Sequence, residues 1–261
     1  MTDALYVGAT GMRAQQTQVD TIANNLANVN TVGFRRESVN FSSVMAALQS
    51  GATDPLGAAL RDNLEARGAG ALASLQLSTN GGELKPTQQP LDVAIEGSGF
   101  FEVLLPDGTP AYTRAGAFSL NSDGMLASAG GLPLSAHVAV PPDASNLRIT
   151  RDGLVIADLP DRRDVELGNI EIAAFANPAG LQSIGDNLYR PTESSGEMQL
   201  GAPASAGNGA LRQGFLEASN VQLVDELVSL MVAQRSFEMN SKVVQAADQM
   251  LGITNSLYRG G

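Results

Sequence analysis

The stretch IANNLANVNTVGFRR, Ile22–Arg36, carries four asparagines in the seven positions from Asn24 to Asn30. Asparagine costs roughly 0.6 kcal/mol per site relative to alanine in a helix interior. The residues before it nonetheless have helical spacing. Leu5, Met12, Val19 and Leu26 are seven apart, and Gly8, Gln15, Ile22 and Val29 form a companion row. That is an a/d stripe of the coiled-coil type, diluted where Gly8 and Gln15 fall. About 27 helical residues would span roughly 40 Å. Only Asp3, Arg13 and Asp20 are charged before Arg35, and Gln, Asn, Thr and Ala fill the other faces.

The C-terminal segment has the same texture. Leu223, Leu230, Phe237, Val244, Leu251 and Tyr258 are seven apart, with Leu227 supporting the first half and Val243, Ala247, Met250 and Leu257 the second. The spacing predicts a helix over 220–257, with Ser219 or Asn220 as its N-cap and Asp225 and Glu226 near the positive end of its dipole. Two distant helices, each with one apolar stripe, would most simply pack on each other.

Between them the period changes. Residues 47–70 are rich in alanine and glycine and broken by Pro55, which reads as an arm or linker. From 71 to 210 short apolar runs alternate with turns. LDVAI (91–95), FFEVLL (100–105), AFSL (117–120), LRIT (147–150) and NIEIAAF (169–175) read as strands, and Asp107-Gly108, Asp123-Gly124 and Asp152-Gly153 as hairpin turns. Residues 194–210 read as a second low-complexity connector. The expected fold class is α+β: long N- and C-terminal helices packed as a coiled coil, with a central mainly-β domain. The expected divisions are a helix at 1–35, an arm at 36–70, a β-rich domain at 71–210 and a helix at 211–261.

Composition narrows the function. The 261 residues carry a net charge of −11 and no cysteine, so no disulfide or thiolate metal site is available. Residues 71–210 hold seven bases against sixteen acids, whereas residues 1–46 hold three of each. No basic patch suits nucleic acid. No run reaches eighteen apolar residues, and the N-terminus lacks the basic-then-apolar pattern of a cleaved signal. A serine triad would have to use His137, the sole histidine, which lies in a strand-like run. Glu96 and Glu102 are available carboxylates, but nothing in the spacing pairs them. Gly97-Ser98-Gly99 lacks the third glycine and lysine of a phosphate loop. No catalytic, cofactor or metal site is expected.

Three motifs carry a family likeness. TGMRAQQTQVDTIANNLANVNTVGFRR (10–36), LDVAIEGSGFFEVLLPDGTPAYTRAGAFSLNSDGMLASAGG (91–131) and GFLEASNVQLVDELVSLMVAQRSFEMNSKVVQAADQML (214–251) resemble, in order, the three signatures of bacterial flagellar rod and hook proteins. The likeness covers most of the chain and is weakest over 47–80 and 190–210. Residues 167–189 and 213–221 are similar to rod rather than hook members. The resemblance implies a structural subunit of a helical homopolymer crossing the periplasm, exported by the flagellar type III apparatus without signal cleavage. It implies further copies of the chain as partners, proximal rod proteins below, the hook protein or hook–rod junction above, and ring proteins around. The terminal helices would line the inner tube and the β-domain would form its outer wall.

A polymer of one subunit needs heterologous contacts between helices. Carboxamides hydrogen-bond there without the desolvation cost of a charge. Asn24, Asn25 and Asn28 are therefore expected to bond across helices, within or between subunits. Leu5, Met12, Val19, Ile22, Leu26, Leu223, Leu227, Leu230, Phe237, Val244 and Leu251 complete the expected assembly interface. Asn30 and Gly33 read as the helix stop, with Gly33 supplying a left-handed residue.

Overall fold

A computed structural model describes residues 2–43, 71–205 and 207–259. The arm expected over 47–70 lies outside them. The described elements are two α-helices, Thr2–Ala27 (α1) and Leu223–Arg259 (α2), one 3₁₀ turn at Pro178–Gly180, and seventeen short strands. No described helix is long and apolar enough to cross a membrane. The chain forms two compact units. One comprises Met1–Ala27, Glu37–Gln76 and Gln222–Gly261; the other comprises Asn28–Arg36 and Leu77–Val221.

The expected fold class is overturned. The described residues are mainly β, with only two helices, and those helices do not pack as the expected coiled coil. α1 runs antiparallel to α2: Asn25 meets Glu226, and Gly11 sits opposite Asn240, fourteen residues on in opposite directions. The seam between them uses small and polar residues. Ala14, Thr21, Ile22 and Asn25 are buried on α1, and Glu226 and Ala233 on α2. Leu223, Leu227 and Phe237, assigned by spacing to that seam, are exposed instead. In the same unit Glu37–Ser43 pairs with Ala71–Leu77 in a two-stranded sheet.

The β unit is organised by a six-stranded sheet. Its order is Gln182–Gly185, Leu188–Arg190, Pro110–Thr113, Phe100–Leu104, Ile172–Ala174 and Gln199–Gly201, all neighbours antiparallel. Side chains alternate across a strand, so consecutive residues enter opposite layers. Phe101, Ala111, Ile172 and Leu188 face one hydrophobic cluster, while Phe100, Tyr112, Ala173 and Tyr189 face the other. Both faces of the sheet are therefore buried, which is why these strands read as continuous apolar runs. Each Asp-Gly pair turns a hairpin: between Phe100–Leu104 and Pro110–Thr113, Phe118–Leu120 and Leu126–Ser128, and Ser145–Ile149 and Leu154–Asp158. The 194–210 stretch is no simple connector. Ser195 is fully buried, and Gln199–Gly201 supplies the last strand of the main sheet.

Aromatic packing fixes the two layers. Phe101 meets Phe118 edge-to-face at 4.9 Å, and Tyr112 meets Phe175 at the same distance on the other side. Burial, with Glu102 nearby, pushes the Tyr112 phenol up to about 12. Phe101→Ala removes a fully buried ring and is expected to cost about 3–5 kcal/mol. Urea unfolding should show the midpoint drop; an unchanged midpoint would mean the Phe101 layer carries no stability.

Candidate assembly interface

α2 has two faces of different character. Glu226, Leu230, Ala233, Asn240 and Val244 recur at helical spacing on the side that α1 covers, buried or half-buried. On the other side stand Val224 (70 % exposed), Val228, Met231 (52 %), Val232, Met239 (60 %) and Val243. A helix apolar on two faces buries only one of them in this unit.

The asparagines resolve into separate tasks. Asn25 is 1 % exposed, and its carboxamide pairs with the peptide of Glu37: Nδ2 donates to the Glu37 carbonyl at 2.8 Å, and the Glu37 N–H donates to Oδ1 at 2.9 Å. The side chain thus satisfies a backbone pair in the way a neighbouring strand would. Its Nδ2 also lies 3.4 Å from a carboxylate oxygen of the buried Glu226. Asn28 Oδ1 accepts from the Thr31 hydroxyl at 3.0 Å, holding the turn that follows α1. Asn24 and Asn30 are exposed.

The remaining expected site residues divide as follows. Ile22 is buried in the seam, and Met12, Val19, Leu26, Leu230 and Val244 are half-buried. The side chains of Leu5 and Leu251 lie outside the described residues. α1 ends at Ala27, so Gly33 lies six residues beyond the helix. Its φ is +68°, as a left-handed residue requires, and a Cβ there would fall 2.5 Å from the Arg114 backbone. Neither expected N-cap caps α2, which begins at Leu223. Asn220 instead accepts from the Arg36 N–H at 2.6 Å and donates to the Asn80 carbonyl at 2.8 Å.

The β unit holds a charged cluster absent from the expected site. Glu217, 2 % exposed, bridges Arg35 at 2.8 Å and Arg114 at 2.9 Å and accepts from the Gly82 N–H at 2.8 Å. Arg114 also donates to the carbonyls of Ile95, Gly97 and Gly99, and Arg35 to those of Thr79 and Asn80. Burial draws both guanidiniums below their usual range, Arg114 to about 10, against the pull of Glu217. The backbone follows the same line: Gly33 N–H donates to the Glu217 carbonyl at 2.7 Å. The sequence signal was Arg114 inside the apolar run AYTRAGAF, a charge that a half-buried strand keeps only when paired.

Two substitutions test these anchors. Asn25→Ala strands the Glu37 peptide and should cost about 1–3 kcal/mol in urea unfolding. Glu217→Gln leaves two buried guanidiniums without their counter-charge and should cost about 3–5 kcal/mol. A loss below 1 kcal/mol in either case would show that water or rearrangement replaces the bonds described.

Comparison with known proteins places the sequence in a family. The chain matches the family models described as "Flagella basal body rod protein" over residues 5–35, "Flagellar hook protein FlgE/F/G D1 domain" over 94–157 and "Flagellar basal body rod FlgEFG protein C-terminal" over 212–257. It is 43 % identical to the flagellar basal-body rod protein FlgG of Borreliella burgdorferi, across 99 % of this chain and 100 % of that protein. The FlgG proteins of Caulobacter vibrioides and Agrobacterium fabrum are each 40 % identical, across 97 % of this chain and 98 % of each relative. Most of α1 lies within the first match and most of α2 within the third. The chain belongs to the flagellar rod and hook protein family, close to the distal rod protein FlgG, and is a structural rod subunit of the flagellar basal body.

Proposed function

We propose that copies of this chain assemble into the distal rod, a helical tubular shaft that carries torque from motor to hook, by docking the outward face of α2 on a second copy. The observation that carries this reading is the row of Val224, Val228, Met231, Val232, Met239 and Val243, exposed on the side of α2 that α1 leaves open. Exposed apolar side chains grouped on one helix face, here with Arg235 among them, mark an interaction surface. α2 contains three bases and four acids, so little like-charge repulsion keeps copies apart along it. A single-subunit polymer grows through heterologous contacts, in which this row meets a different patch on its neighbour. Leu223 and Leu227 flank the row and join the same contact, whereas Phe237, four residues from Ala233 and three from Asn240, sits at the partly open edge of the α1 side. The neighbours along the shaft are further copies, with proximal rod proteins on one side, the hook or its junction on the other, and ring proteins around.

The role is mechanical rather than catalytic. His137 is exposed, and its Nδ1 lies 2.6 Å from the Ser135 carbonyl oxygen, engaged with backbone rather than with a nucleophile. Glu96 faces Arg151 in an exposed pair at 3.7 Å. A cleft of about 740 Å³ lies over Arg35, Arg114 and Glu217, but those groups are occupied by one another and by carbonyls. Torque is transmitted by many interlocked contacts, so no single polar site is required.

Val228→Asp places a charge in the middle of the outward row without touching the seam. Exposed substitutions usually shift stability by less than about 0.5 kcal/mol. The purified variant should therefore unfold like the parent. A strain carrying it as the sole copy should make short rods without hooks, seen by electron microscopy of basal bodies. Complete rods would remove this face from the contact.

A further inference from the structure

We propose that Met231 and Met239 form an oxidation site whose modification by hydrogen peroxide prevents a free subunit from joining the polymer; the functional half of this rests on the assembly reading above. The chain has eight methionines and no cysteine, so thioethers are its only sulfur atoms. Met12, Met125 and Met198 are half-buried, whereas Met231 and Met239 are 52 % and 60 % exposed. The two are eight residues apart on α2, about 12 Å along the axis, and lie on the same broad face as Val224, Val228 and Val243. Met250 is exposed further along the same helix.

The chemistry needs only an oxidant of the peroxide class. A thioether sulfur attacks one peroxide oxygen, the O–O bond breaks, the sulfur gains an S=O bond and loses two electrons, and the second oxygen leaves as water. Exposure decides which sulfur reacts first, because the reagent must reach the lone pair. The product is a polar, chiral sulfoxide on a face whose exposed apolar residues are Val224, Val228, Val232 and Val243, with Arg235 among them. Arg235 lies four residues from each methionine, so it shares their row. A sulfoxide oxygen accepting from its guanidinium enlarges the polar centre at the expense of the apolar area around it. Docking such a face on an apolar partner must strip water from both the sulfoxide and the guanidinium. A sulfoxide reductase reverses the change, its dithiol becoming a disulfide as the oxygen leaves as water. Subunits already in the polymer have this row covered and are protected, so the site acts on the subunit before addition.

The test uses the full-length chain treated with graded hydrogen peroxide. Peptide mass spectrometry should find Met231 and Met239 oxidised several-fold faster than Met12, Met125 and Met198. Sedimentation should find self-association weakened at least tenfold by oxidation, and restored by sulfoxide reductase with dithiol. The Met231→Leu/Met239→Leu double variant should self-associate like the parent and lose at most twofold after the same treatment. Faster oxidation of the half-buried methionines overturns the site. Equal loss of association in the double variant overturns its role. An untreated parent chain that stays monomeric at every concentration sinks the assembly reading together with that role, while the order of oxidation still judges the site.

Discussion

Glu217 holds two guanidiniums, the Gly82 amide and, through its own carbonyl, the amide of Gly33. The residues it joins come from widely separated parts of the chain: 33–35, 79–82, 95–114 and 217 itself. A buried pair gains little over a well-packed apolar substitute, yet losing one partner is costly. Here one carboxylate faces two cations, and carbonyl oxygens of Ile95, Gly97, Gly99, Thr79 and Asn80 take up the remaining donors. The cluster therefore fixes which backbone segments meet, where an apolar core alone would leave them free to slide. The six-stranded sheet and its two aromatic layers supply the bulk of the burial around it.

The helical unit is specified by different means. Its seam is narrow and made of glycine, alanine, threonine and carboxamide, so the helices approach closely and bond through Asn25 and Glu226. Leu230 and Val244 reach its edge, and the more exposed apolar residues of α2, Val224, Met231 and Met239 among them, stand outside it. In the proposed polymer, polar and small groups would settle the register within the chain and the exposed apolar groups would meet the neighbour.

Several features were legible from residues alone. Helical spacing located α1 and α2, and each Asp-Gly pair between apolar runs gave a hairpin, because that dipeptide suits the positive φ such turns need. FFEVLL was readable as a strand but not as one buried on both faces. The coiled coil was misread for a physical reason. Stripe reading assigns the large apolar residues to the nearest helix, and it fails when a helix has two apolar faces and its chain partner takes the poorer one. Asn25 was read as a cross-helix bond and does reach Glu226 on α2; its shorter bonds, to the Glu37 peptide beyond 28–36, are ones no local pattern reveals. Glu217 was invisible for the same reason, since its partners lie over a hundred residues away.

The outward face of α2 is the central claim, and the absence of cysteine makes it directly testable. A single Val228→Cys substitution, labelled with a benzophenone maleimide in the purified chain, would be photolysed after polymerisation. Covalent dimers of this chain, with the cross-linked peptide drawn from a second copy, are the predicted product. Polymers of normal length that yield only uncross-linked chain would contradict the account, because Val228 would then face solvent in the finished rod.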